Sequence, residues 1–121
     1  MFPEAISPAN ASPTPSEIGV DELAARLAST APPVVAEILG APYFASGHLP
    51  RALNLPLEGF AENALRALPN KAQELVVYCA SATCQNSDIA ARKLLSLGYQ
   101  NVRVFRGGKA AWRDAGHPLT T

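Results

Sequence analysis

The chain has 121 residues, 48% of them hydrophobic, and its ten Lys and Arg balance ten Asp and Glu. This is the size and composition of one folded domain with its own core, not of a disordered chain. With no net charge there is no overall field to gather nucleic acid or an anionic membrane surface, and no apolar run reaches the length of a bilayer span, so neither is expected as a partner.

The opening Met1-Phe2-Pro3-Glu4-Ala5-Ile6-Ser7-Pro8 has neither a basic stretch nor an apolar stretch and does not read as a secretory signal. Two cysteines are too few for a secreted disulfide scaffold, which favours a reducing, cytoplasmic setting. Residues 1–16 carry Pro3, Pro8, Pro13 and Pro15 among Ser, Ala, Asn and Thr, the composition of an extended tail, and the domain is assigned to 17–121. Val20, Leu23 and Leu27, with Asp21 and Glu22 in the first turn, predict a short amphipathic helix. Pro32-Pro33 stop it, and Val34 to Leu39 read as a strand buried on both faces.

Gly40 to Gly47 read as a turn with one helical turn carrying Tyr43 and Phe44. Ala52 to Leu55 form a brief strand closed by Pro56. A helix follows over about Glu58 to Leu68, with Phe60, Leu65 and Leu68 expected inside. Leu75 to Tyr78 are the next strand. Asn86 or Ser87 then caps a helix whose inner stripe is Ala90, Leu94 and Leu97 and whose stop is Gly98. Val102 to Phe105 are a last strand, Gly107-Gly108 a turn, and Lys109 to Ala115 a final helix with Trp112. Strands alternating with helices predict an α/β domain with a largely parallel sheet covered on both faces, without internal repeats.

Cys79 ends an apolar strand and precedes a helix, so it sits at the carboxyl end of the sheet, where ligands collect in such folds. Helix N-termini favour the thiolate, the nucleophilic form of cysteine. The alternative is a buried core cysteine finishing a strand. Cys84 has three readings: a thiol that takes up or resolves what Cys79 carries, a carrier in its own right, or an inert loop residue. Four residues separate the two cysteines and only His48 and His117 remain as histidines, so neither a metal site nor a cofactor is expected. His48 is expected to fix its loop by bonding to backbone, His117 to lie in a surface turn, and Trp112 to anchor packing.

Four landmarks in order over residues 18–119 resemble the rhodanese family in its single-domain sulfurtransferase form. They are Gly47-His48-Leu49-Pro50 with Ala52-Leu53-Asn54-Leu55-Pro56, the strand ending in Val77-Tyr78-Cys79, Ala90-Ala91 with Leu94 and Leu97-Gly98-Tyr99, and Gly107-Gly108 with Trp112. The loop, with its second cysteine five residues after the first, is similar to that of a subgroup with Cys-x4-Cys. The resemblance implies a rhodanese-like fold and a sulfurtransferase, with Cys79 taking a sulfane sulfur as a persulfide. The partners implied are a small sulfur donor such as thiosulfate and an acceptor, either a thiol (of a small molecule or a protein) or a cyanide-like nucleophile. The backbone N–H groups and side chains of Ala80, Ser81, Ala82, Thr83, Gln85, Asn86 and Ser87 are then the substrate cradle.

The chain departs from the family in three places. Ala36-Glu37-Ile38-Leu39 replaces Asp-Val-Arg, leaving Glu37 as the acid without the arginine, and Arg51 stands where glycine is usual. The loop holds no cation, so Arg51 and Arg106 are the candidates to supply one; by default both are solvated charges. A phosphatase or arsenate reductase on this scaffold needs an arginine at the position of Gln85 and is set aside. The competing class is a non-catalytic rhodanese-like module that binds a partner or senses redox state through Cys79 and Cys84.

Overall fold

The computed structural model describes residues 15–121. The elements in chain order are β1 (Ser16–Glu17), α1 (Val20–Leu27), β2 (Val34–Glu37), α2 (Ala41–Ser46), β3 (Leu53–Asn54), α3 (Phe60–Ala67), β4 (Glu74–Tyr78), α4 (Asn86–Ser96), β5 (Asn101–Phe105) and α5 (Gly108–Asp114). The five strands form one sheet in the order β1-β5-β4-β2-β3, and every pairing is parallel. Among the described residues, no helix is long and apolar enough to cross a membrane.

The continuous apolar run of β4 follows from its central place. Leu75 and Val77 point into a cluster with Phe60 and Ala64 of α3 and Ala90, Ala91 and Leu94 of α4. Val76 and Tyr78 point the other way, to Leu23 of α1, Phe105 and Trp112 of α5. Successive strand residues face opposite sides, so a strand covered on both faces has no position for a solvated side chain. Burying each such side chain contributes ~1.5–3 kcal/mol.

The structure corrects three expectations. Ser16, assigned to the tail, pairs with Arg103 in β1, while residues 1–14 of that segment lie outside the described residues. Leu65, expected inside, is 43% exposed, and Ala64 is buried in its stead. Phe60, Ala64 and Leu68 repeat at the four-residue spacing that stays on one helix face; Leu65 falls off it. Neither Asn86 nor Ser87 caps α4, since Gln85 holds the N-cap position and no side chain caps the helix.

Adjacent strands β2 and β4 send their chains in opposite directions, β2 onward to β3 at one edge and β4 onward to β5. A crevice opens at the carboxyl ends of two strands that diverge in this way. Ile38 follows β2 there, and Cys79 follows β4.

Candidate active site

Cys79 is the first residue after β4 and is 2% exposed. Two sulfur–oxygen distances locate its side chain: Sγ lies 3.5 Å from Cys84 O and 3.6 Å from Ser87 Oγ. The Cys79 and Cys84 Sγ atoms are in disulfide contact, with their Cα atoms 6.3 Å apart. A turn sets the loop between them, in which Cys84 N–H donates to Ser81 O at 3.1 Å. The hydroxyls of Ser81 and Thr83 meet at 3.1 Å.

Most of the candidate cradle falls on this loop and the first turn of α4. Ala80, Ala82, Thr83 and Gln85 are exposed, while Ser81, Cys84 and Asn86 are half-buried. Among the described residues, the backbone N–H groups of Ser81, Ala82, Thr83, Gln85, Asn86 and Ser87 have no acceptor in the protein. The first N–H groups of a helix are unpaired by construction and present partial positive charge to an anion. Asn86 does not cap because its amide donates to Ile38 O at 3.1 Å, which fastens α4 to the end of β2. Ser87 does not cap because its buried hydroxyl faces the Cys79 sulfur.

Neither arginine named as a possible cation is free at the loop. Arg51 lies at the opposite end of the sheet, lining one cavity with Pro33, Val34 and Leu53 and another with Trp112 and His117. Arg106 is held between Asp88 Oδ2 at 2.5 Å and Glu17 Oε2 at 3.2 Å. The hydrogen bond to Asp88 raises the Arg106 guanidinium above the ordinary arginine value, against the opposing effect of desolvation, and Glu17 adds to the rise.

A charged network lies beneath the loop. Glu37 is completely buried, and its Oε2 sits 3.0 Å from Lys109 Nζ as an ion pair rather than a directed hydrogen bond. Lys109 Nζ also donates to Tyr43 O at 2.7 Å. Tyr78 OH donates to Glu37 Oε1 at 2.8 Å and accepts from Leu49 N–H at 3.0 Å. Burial pushes the Tyr78 phenol far up, the Leu49 N–H opposes this, and Glu37 adds to the rise, so the hydroxyl stays protonated. The sequence marks Glu37 as the stand-in acid and gives no sign of Lys109 as its partner. The signal for a cation is the lone acid in the apolar run Val34 to Leu39, because a buried carboxylate demands one.

Lys109 also acts through its backbone, which donates to Cys79 O at 3.1 Å, while Ala110 N–H donates to Ala80 O at 3.0 Å. The start of α5 therefore holds the two residues at which β4 passes into the loop. His48 bonds through Nδ1–H to Phe44 O at 2.8 Å, the positioning role expected of it. Trp112 is buried, edge-on to Phe105, and donates through Nε1 to Pro118 O at 3.0 Å. The ring of His117 lies against it at 4.4 Å.

A parallel α/β domain with a cysteine at the carboxyl end of its central strand, beside the first turn of the following helix, defines a class: domains that present a sulfur side chain from a strand-to-helix loop. The model of the rhodanese-like domain matches residues 19–115, and the chain belongs to that family. A sulfurtransferase of Allochromatium vinosum is 33% identical over 104 residues, spanning 86% of this chain and 94% of its own. The crystal structure of the Alr3790 protein of Anabaena sp. superposes with a TM-score of 0.76 at 26% identity, covering 85% of this chain and 90% of that one. A thiosulfate sulfurtransferase of Pseudomonas aeruginosa shares the fold, with a TM-score of 0.78 at 21% identity over 88% of this chain and 20% of its own.

Proposed function

We propose that the protein is a sulfurtransferase that carries a sulfane sulfur as a persulfide on Cys79. The observation that carries this reading is the placement of the Cys79 sulfur, at the end of β4 and 3.6 Å from Ser87 Oγ in the first turn of α4. The Cys79 thiolate attacks the outer sulfur of thiosulfate, the sulfur–sulfur bond of the donor breaks, and its electron pair leaves with sulfite. The outer persulfide sulfur then passes to an acceptor nucleophile. Ser87 Oγ–H and the unpaired loop N–H groups are the donors for the sulfur anion in both states. With thiosulfate the reaction moves no proton to or from carbon and asks for no general base; with 3-mercaptopyruvate the carbon–sulfur bond breaks and the pyruvate enolate takes its proton from water. Support for the reading also comes from the relative in Allochromatium vinosum that bears the name sulfurtransferase.

With no unpaired cation in the loop, the dianion of thiosulfate is met by neutral donors, and a less charged donor such as 3-mercaptopyruvate is expected to saturate the site at lower concentration. The test uses reduced protein freed of reductant and mixed with either donor. Sulfite from thiosulfate, or pyruvate from 3-mercaptopyruvate, should appear at about one equivalent per chain, and Cys79→Ser should release neither. Failure of the unmodified chain to release product from any sulfane donor sinks the proposal. That outcome would leave a second reading, a rhodanese-like redox sensor, for which the disulfide contact between Cys79 and Cys84 speaks.

A further inference from the structure

Resting on the persulfide reading, we propose that Cys84 completes the turnover by expelling the transferred sulfur from Cys79 as hydrosulfide. The protein is then a sulfide-releasing enzyme whose terminal electron donor is a dithiol. The first observation is the direct contact of the two Sγ atoms, with no atom between them. A persulfide on Cys79 offers Cys84 two targets. Attack on the outer sulfur would make Cys84 the carrier, a state with an extra sulfur between the two side chains. Attack on the inner sulfur gives the bond that the structure holds.

The leaving groups do not decide between the routes: inner attack expels hydrosulfide, outer attack expels the Cys79 thiolate, and the first turn of α4 favours that thiolate. The contact of the two Sγ atoms is what favours the inner route.

The second observation is an inversion of access. Cys79 is 2% exposed, whereas Cys84 is half-buried and follows the exposed residues Ala82 and Thr83. An acceptor arriving from solvent meets Cys84 first, and the sulfur on Cys79 is shielded from it by the loop. A bulky acceptor thiol therefore has its contact with Cys84, as the reductant of a disulfide. The loop is already formed for this, because Cys84 N–H is held by Ser81 O at 3.1 Å and the Ser81 and Thr83 hydroxyls brace each other.

The step balances. The persulfide anion takes a proton from water on its outer sulfur, the Cys84 thiolate attacks Cys79 Sγ, and the bond from Sγ to the outer sulfur breaks, its electron pair leaving with that sulfur as hydrosulfide. The sulfane sulfur is reduced by two electrons, and the two cysteines are oxidised to the disulfide. A dithiol then attacks Cys84 Sγ and closes its own disulfide, returning both cysteines to thiols. The net reaction converts thiosulfate and a dithiol into sulfite, hydrogen sulfide and a cyclic disulfide. A dithiol is specified because a monothiol stops at a mixed disulfide and needs a second molecule to finish.

The test is one turnover of the full chain, reduced, stripped of reductant and given thiosulfate. The unmodified protein should release one sulfite and one sulfide per chain, and its intact mass should fall by two hydrogens. Cys84→Ser should release sulfite, hold one added sulfur, and yield sulfide only after dithiothreitol is supplied; Cys84→Ala, checked for folding by circular dichroism, should behave the same. If the unmodified chain keeps the added sulfur and yields no sulfide until thiol is added, the inference is overturned while the persulfide reading stands. Absence of sulfite from every form overturns the underlying reading instead. Sulfite release lost only in the Cys84 variants would make Cys84 the nucleophile and overturn both assignments.

Discussion

Lys109 and Glu37 set the energetics beneath the site. Their ion pair is sealed, with side-chain exposures of 8% and 0%, and two further hydrogen bonds complete it, from Tyr78 to the carboxylate and from the ammonium to Tyr43 O. Removing one partner of such a pair leaves the other as an uncompensated buried charge, at ~3–5 kcal/mol. Replacing both with apolar side chains of similar volume is neutral or stabilising by ~1–4 kcal/mol in comparable cases. Lys109→Met is therefore expected to lower the free energy of urea unfolding by about 3–5 kcal/mol, and Lys109→Met with Glu37→Leu to recover most of that loss. Both variants keep the backbone N–H that holds Cys79 O, so the comparison isolates the charges. A double variant no more stable than Lys109→Met would show that the stranded carboxylate is not the source of the loss. The sequence exposed half of this pair, an acid in an apolar strand. It hid the other half, because a lysine after Gly107-Gly108 has the pattern of a solvated residue until the start of α5 is docked against β4.

The joint between α5 and β4 is where element packing meets the site. Gly108 has φ +62, and an added Cβ would run into Cys79 O and the Ala80 carbonyl carbon. Two penalties coincide there: left-handed backbone costs an L-residue ~1–2 kcal/mol, and a clash with backbone has no side chain to swing aside. Gly108→Ala is expected to lose at least about 2 kcal/mol in urea unfolding and to slow sulfite release, since the Lys109 and Ala110 N–H bonds to Cys79 O and Ala80 O depend on that approach. Unchanged stability would mean that α5 can dock without the close contact. Helices α1, α3 and α4 and strands β2, β4 and β5 were legible because each combines an apolar period with a stop, as in Pro32-Pro33 or Gly98. Strand β1 was not legible. Its two residues are exposed, and the strand exists only because β5 offers it an edge. The site was legible in the same uneven way: the position of Cys79 follows from local pattern. What surrounds its sulfur depends on how the loop closes, and Ser87, whose sequence suggested a helix cap, is turned to the sulfur instead.

At the scale of the whole molecule, the two ends of the sheet carry different sets of residues. The carboxyl end holds Cys79, Cys84, Ser87 and the start of α5. The amino end holds Arg51, Val34, Leu53 and the cavities they line. Arg51 is the one non-glycine among the described residues with positive φ, at +63, and its side chain is exposed. The family's usual glycine at this position has a physical reason in that backbone angle. Glycine would relieve ~1–2 kcal/mol of left-handed strain, while the looser unfolded chain would offset ~0.4–1 kcal/mol of the gain. Strain relief is the larger effect, so Arg51→Gly is expected to stabilise the fold by about 0.5–1 kcal/mol in urea unfolding. Because Arg51 lies a sheet's length from the Cys79 sulfur, sulfite release from thiosulfate should keep its rate and its concentration dependence. A raised thiosulfate requirement in Arg51→Gly would restore the arginine to the donor site and break the division between the two ends; a loss of stability would mean that the side chain holds its loop more strongly than the backbone strain opposes it.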